Sequence, residues 1–165
     1  MNRRSHLHFT LALVAGGLMV KAGLLSAQDS SFAAMQRRGK MVMGVDQYTS
    51  VHKFDDLADG GRIELQAGHD DSAGVHTIRK HLHDTAHAFE KGDFSGPSFV
   101  HMKNVPGTRV MVEKRAAIHY SVSELPRGGE LRISSADPGA VKAVHEFLAF
   151  QRSEHHAAGH EMHDH

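Results

Sequence analysis

Cysteine is absent from the chain, and so is tryptophan; two tyrosines and eight phenylalanines supply every aromatic side chain, and four prolines every proline break. Without cysteine there is no disulfide framework and no thiolate metal centre, so any metal chemistry must use imidazole, carboxylate or thioether donors. With aromatic residues at 6%, a stacking platform for bases or sugar rings is not expected. An excess of either charge is also missing, since 19 basic side chains balance 19 acidic ones. Nucleic acid and anionic membrane surfaces are therefore not expected as partners. Nor is there a nucleophile elbow, a phosphate-cradling glycine loop, a His-Glu-X-X-His pair or a Cys-X-X-Cys-His haem attachment. No carboxylate pair is marked for acid–base work. No catalytic residue is assigned, the chain is not read as an enzyme, and no organic cofactor is indicated.

A hydrophobic run long enough to span a bilayer is lacking as well. The longest, Phe9 to Val20, has twelve residues; a span needs about 20. With Arg3 and Arg4 before it and Ser26-Ala27 after it, residues 1–27 read as a secretory signal cleaved after Ala27. The paired arginines raise a twin-arginine route, although His6 stands where that signal prefers an apolar residue. A periplasmic or secreted location follows, without membrane insertion after cleavage. Arg3, Arg4 and Lys21 leave with the signal, so 16 basic side chains then face 19 acidic ones. The remaining length suits one domain, 28–152, followed by a disordered tail, 153–165.

What is present begins with an internal repeat. His52-Lys-Phe-Asp-Asp-Leu57-Ala-Asp-Gly60-Gly61-Arg-Ile63-Glu-Leu65 parallels Tyr120-Ser-Val-Ser-Glu-Leu125-Pro-Arg-Gly128-Gly129-Glu-Leu131-Arg-Ile133 at a constant offset. The same offset places Met43 on Met111. A helical stripe follows each copy: Val75, Ile78, Leu82 and Phe89 in the first, Val141, Val144 and Leu148 in the second. Asp71 and Asp137 are expected N-caps, with Pro138 at the first helical position. The glycine pairs are read as tight hairpin turns. Each copy, about 41–91 and 108–152, is thus strand, turn, strand, helix, with 92–107 as a linker and a short helix expected over 31–38. The expected fold class is α+β: one four-stranded antiparallel sheet with two helices on one face and a pseudo-twofold axis.

The strings MVMGVDQYTSVHKF, DGGRIEL, IRKHLHDTAHAFEKGDF, VPGTRVM and LPRGGELRI…ADPGAVKAVHEFLAFQ resemble a family of small exported bacterial proteins of unassigned function. The resemblance covers about Met41 to Gln151 and implies no activity. Members are sometimes labelled aspartate carbamoyltransferase. This chain is about half the length of such a catalytic subunit and lacks its Ser-Thr-Arg-Thr phosphate loop.

Histidine is the feature in excess, with sixteen residues in 165. His6 and His8 fall in the signal. His155, His156, His160, His163 and His165 crowd the C-terminus among Glu154, Glu161, Met162 and Asp164, a composition that chelates Zn²⁺, Ni²⁺ or Cu²⁺ or simply keeps a tail soluble. His76, His83 and His87 form one stripe of the first long helix, away from its apolar face. The four-residue spacing of His83 and His87 lets two imidazoles share an ion, and it equally describes a solvated flank. His52, His81 and His145 are expected to lean toward the sheet–helix interface. They either converge, with Met43 or Met111 as soft ligands, or act as three separate structural histidines. His69, His101 and His119 are assigned to a loop, the linker and an outward strand position.

The leading expectation is a periplasmic protein that captures or buffers a transition metal, copper or zinc first. The alternatives are an interaction or pH-responsive structural protein of the envelope, and a non-covalent haem carrier using His52 or His81. A protein partner or homodimer is not specified.

Overall fold

The computed structural model describes residues 30–46 and 49–157, so the expected signal, 1–27, and the last eight residues lie outside the described residues. The chain divides into two compact units, Met1–Ala34 and Met35–His165. Of the first, only 30–34 are described, and they are helical. The second holds the sheet and every feature discussed below.

Helix α1 of the second unit is described over residues 35–43. It is followed by β1 (Ser50–Leu57), β2 (Gly60–Ala67), α2 (Ser72–Glu90), α3 (Ser95–His101), α4 (Thr108–Glu113), β3 (Ile118–Leu125), β4 (Gly128–Ser135) and α5 (Pro138–His155). The strands form one antiparallel sheet in the order β1-β2-β4-β3. The α+β class and the single four-stranded antiparallel sheet are as expected. Ile63 pairs with Leu131 across the β2–β4 seam. Helix α2 packs chiefly on β3 and β4, whereas α5 packs chiefly on β1 and β2. Each long helix therefore covers the hairpin of the other half.

The glycine pairs do a different job from the one expected. The turns are Ala58-Asp59 and Pro126-Arg127, while Gly60-Gly61 and Gly128-Gly129 open the second strand of each hairpin. A Cβ on Gly61 would lie 2.1 Å from Leu148 Cδ1, and one on Gly129 would lie 3.0 Å from Leu82 Cδ1. The glycines let α5 and α2 descend onto the sheet. Gly60, at φ +143°, is the one member whose backbone also demands glycine.

The two expected repeats differ outside the hairpins and long helices. The expected linker 92–107 carries α3, and α4 precedes β3, so five helices are described rather than the two long ones and the short one over 31–38 that were expected. Met111 lies in α4 and is fully buried, while Met43 ends α1; their expected equivalence is not seen. Asp137 caps α5 by accepting from Gly139 N at 2.8 Å and Ala140 N at 3.0 Å. Asp71 occupies the N-cap position of α2 but makes no side-chain cap bond. The core joins Leu65, Leu131 and Ile133 from the sheet to Ile78, Val144, Phe147 and Leu148 from the helices. Each such side chain contributes roughly 1.5–3 kcal/mol through burial.

Candidate functional site

Between α2 and α5, over the apolar face of the sheet, lies a partly open cavity of about 300 Å³. Phe54, Leu65 and Leu131 form its floor, Leu82 and Phe89 come from α2, Phe147 from α5, and α1 and α3 border it with Val42 and Val100. Strand alternation explains the first polar group. His52 precedes Phe54 by two residues, so both side chains face the helices, and His52 is 9% exposed. Its Nε2 lies 3.4 Å from Met43 Sδ.

Three further imidazoles border the same space. His155, in the last turn of α5, stacks on His52 at 6.0 Å between ring centroids and on Phe54 at 5.9 Å. His101, the last residue of α3, meets His155 edge to face at 4.9 Å. Its Nε2 is 3.0 Å from Gln151 Oε1, and its Nδ1 is 3.7 Å from Glu154 Oε2. His81, on α2, lies 3.4 Å from Thr85 Oγ1. Helix α5 is pinned where the site needs it: Arg152 pairs with buried Asp56 at 3.0 Å and donates to Phe54 O at 2.7 Å.

Burial in apolar surroundings keeps these rings neutral, because a charged imidazole would lose its hydration. Desolvation lowers His52 to about 4, with the charge of His81 adding to the effect. Desolvation also lowers His155 to about 3, helped by His101, His52 and His156. His81 and His101 are shifted down for the same reason, with Gln151 and Glu154 partly opposing the shift at His101. At neutral pH the cavity thus presents uncharged imidazoles, each with one N–H and one lone pair, and one thioether.

The sequence-based candidates are sorted by this geometry. His52, His81 and Met43 reach the cavity. His145 does not: its Nε2 lies 3.0 Å from Leu57 O, so it ties α5 to the first hairpin and leaves the expected trio incomplete. Met111 is fully buried in the core, away from the cavity lining. His83 and His87 are exposed, with His87 Nδ1 3.8 Å from Glu90. His155 belongs to α5 rather than to a tail beginning at 153, and His156 is exposed at the helix end. His160, His163 and His165 lie outside the described residues.

Two site residues escaped the sequence reading. His101 falls within the expected linker 92–107, yet α3 runs through Gly96 and Pro97 to reach it. In a helix's first turn a proline is tolerated, and Asp93 supports that start by accepting from Ser95 N at 2.9 Å. Gln151, the other, continues the stripe of Val144 and Leu148 at helical spacing, as His155 does one turn later. Among the described residues no three His, Asp or Glu side chains stand close enough to hold a metal ion between them. None of the described helices is long and apolar enough to cross a membrane. Comparison with protein-family models, curated proteins and solved structures finds no match.

Proposed function

We propose that the protein binds a transition-metal ion, copper or zinc, in the cavity between α2 and α5, with Met43 and His52 as the founding donors and His155 beside them. The carrying observation is the 3.4 Å separation of Met43 Sδ and His52 Nε2. A tetrahedral ion roughly 2.0 Å from nitrogen and 2.3 Å from sulfur holds two such donors about 3.5 Å apart. Neutral rings favour the same reading, because each needs only to carry its one N–H on the other ring nitrogen to offer an ion a lone pair, with no net loss of a proton at neutral pH. His156, His160, His163 and His165 at the C-terminus serve as a faster, weaker capture segment in an exported buffer protein.

Calorimetry and elemental analysis test this on protein purified without an affinity column, comparing the full chain with one ending at Ala157. Binding tighter than about 10 μM in both forms, lost in His52→Gln, is the expected result. Absence of such binding, or binding indifferent to His52, overturns it. A second reading has one observation in its favour: about 300 Å³ is at the small end of organic-ligand pockets. Thermal stabilisation by a small apolar molecule, with none by metal, would select it.

A further inference from the structure

We propose that the cavity selects the cuprous ion over divalent ions, an inference that rests on the metal reading above and narrows it. The argument starts from charge. The donors at hand, Met43 Sδ, His52 Nε2 and the ring of His155, are all uncharged when bound to an ion. Two carboxylates line the cavity, Asp84 and Asp93, both exposed, and two more, Asp56 and Glu154, stand against Arg152 and His101; each has a partner of its own. Asp84 is held by Lys80 at 2.5 Å, Asp93 by the backbone of Ser95, Asp56 by Arg152 and Glu154 by Lys103 at 2.9 Å. A dication here would be buried among neutral ligands and hydrocarbon. Because the cost of desolvating an ion scales with the square of its charge, a dication costs about four times as much as a monocation of similar size.

Ligand type and number point the same way. Thioether sulfur is a soft donor that favours Cu(I). Structural zinc sites are closed by four protein ligands, and among the described residues no three His, Asp or Glu groups converge. A monovalent d¹⁰ ion accepts a low coordination number, so the Met43–His52 pair with one neighbouring imidazole suffices for it. Exposed histidines with carboxylates beside them, such as His87 with Glu90, offer hydrated, charge-balanced sites better matched to dications. The protein would then keep the two oxidation states of copper in separate places.

The absence of cysteine gives a direct test. Any sulfur around bound copper must come from methionine, so copper K-edge X-ray absorption on the anaerobically Cu(I)-loaded full chain reads the site unambiguously. A sulfur shell near about 2.3 Å is expected, and it should vanish in Met43→Leu, a substitution that conserves volume. Competition with bicinchoninate should show Cu(I) affinity weakened at least about tenfold in that variant, while Zn²⁺ binding by the full chain is unchanged. A nitrogen-only shell, or a sulfur shell that survives Met43→Leu, overturns the proposal, as does Zn²⁺ displacing equimolar Cu(I). If Zn²⁺ or Cu²⁺ binds through His52 without a Cu(I) preference, the metal reading survives and the selectivity falls. If no metal responds to His52→Gln, both fall. The wild-type spectrum does not depend on how well either variant folds.

Discussion

His81 and His83 stand two residues apart on the same helix and belong to different chemistries. His81 borders an apolar cavity beside Thr85, and burial pushes its charged form out of reach at neutral pH. His83, rotated by about 200° around the axis, is exposed with His87 one turn further on. The cavity set is completed from other elements, by His52 on β1, His101 on α3 and His155 on α5, whereas the flank set is local to α2. A histidine count therefore says little, and helix phase and strand parity decide which imidazoles can act together.

Acid provides the largest way to break the comparison. A histidine whose folded pKa lies below its unfolded value of about 6.5 contributes full stability above pH 6.5. Below that the unfolded chain takes up protons that the folded one refuses. For His52 the loss runs from about 6.5 down to about 4, and for His155 down to about 3; His81 and His101 act in the same direction. Each costs up to about 1.4 kcal/mol per pH unit in its window, so urea unfolding should lose several kcal/mol between pH 7 and 4.5. His155→Phe keeps a ring between His52 and Phe54 and should flatten that slope by about one proton. An unchanged slope in the variant would show that His155 is solvated.

The lock behind the cavity comes next. Arg152 and Asp56 are 8% and 5% exposed as side chains. Arg152→Leu leaves a carboxylate buried without its partner, which costs about 3–5 kcal/mol. It also releases the turn of α5 that carries Gln151 and His155. Thermal unfolding should report the loss, and metal affinity should fall with it. A variant as stable as the parent would mean that Asp56 is hydrated and that the pair does not position the site.

The sequence made the sheet and the two long helices legible, because period-two alternation around each hairpin and the stripes Ile78-Leu82-Phe89 and Val144-Leu148 are strong local signals. It misled where a residue type has two physical uses. Gly61 and Gly129 were read as turn formers, yet they make room for Leu148 and Leu82, and only tertiary packing reveals that use. Pro97 would break a helix interior but is tolerated in a first turn, which is where α3 holds it. Of the cavity's groups, His52 and His81 were within reach of strand parity and helix phase, whereas Met43 entered only through the repeat offset that set it against Met111. His145 was misplaced because its position at the border of the α5 stripe leaves its orientation to a neighbour, and that neighbour is the carbonyl of Leu57. His101 required knowing that α3 exists.

Smaller effects sharpen the contrast within the cavity itself. His101→Leu removes the partner of Gln151 Oε1 in a buried setting, and an orphaned buried polar group costs about 1–3 kcal/mol. The loss should be smaller at pH 5 than at pH 7, because the substitution also removes one of the acid-sensitive rings. Equal losses at the two pH values would assign the whole effect to the hydrogen bond.

The smallest effect belongs to the flank, and it carries the comparison as much as the large ones do. The double variant His83→Ala, His87→Ala deletes two exposed rings whose one described ionic contact is the 3.8 Å approach of His87 to Glu90, a pair worth at most a few tenths of a kcal/mol in a helix. Alanine is the better helix former by up to about 0.7 kcal/mol per residue, so stability should hold or rise slightly. Affinity for Cu(I) should not move, because neither side chain borders the cavity. Divalent-ion capture should weaken if the pair shares an ion across its one-turn spacing. A fall in Cu(I) affinity would mean that ions reach the cavity through the flank, and the two histidine populations would then be one relay rather than two sites.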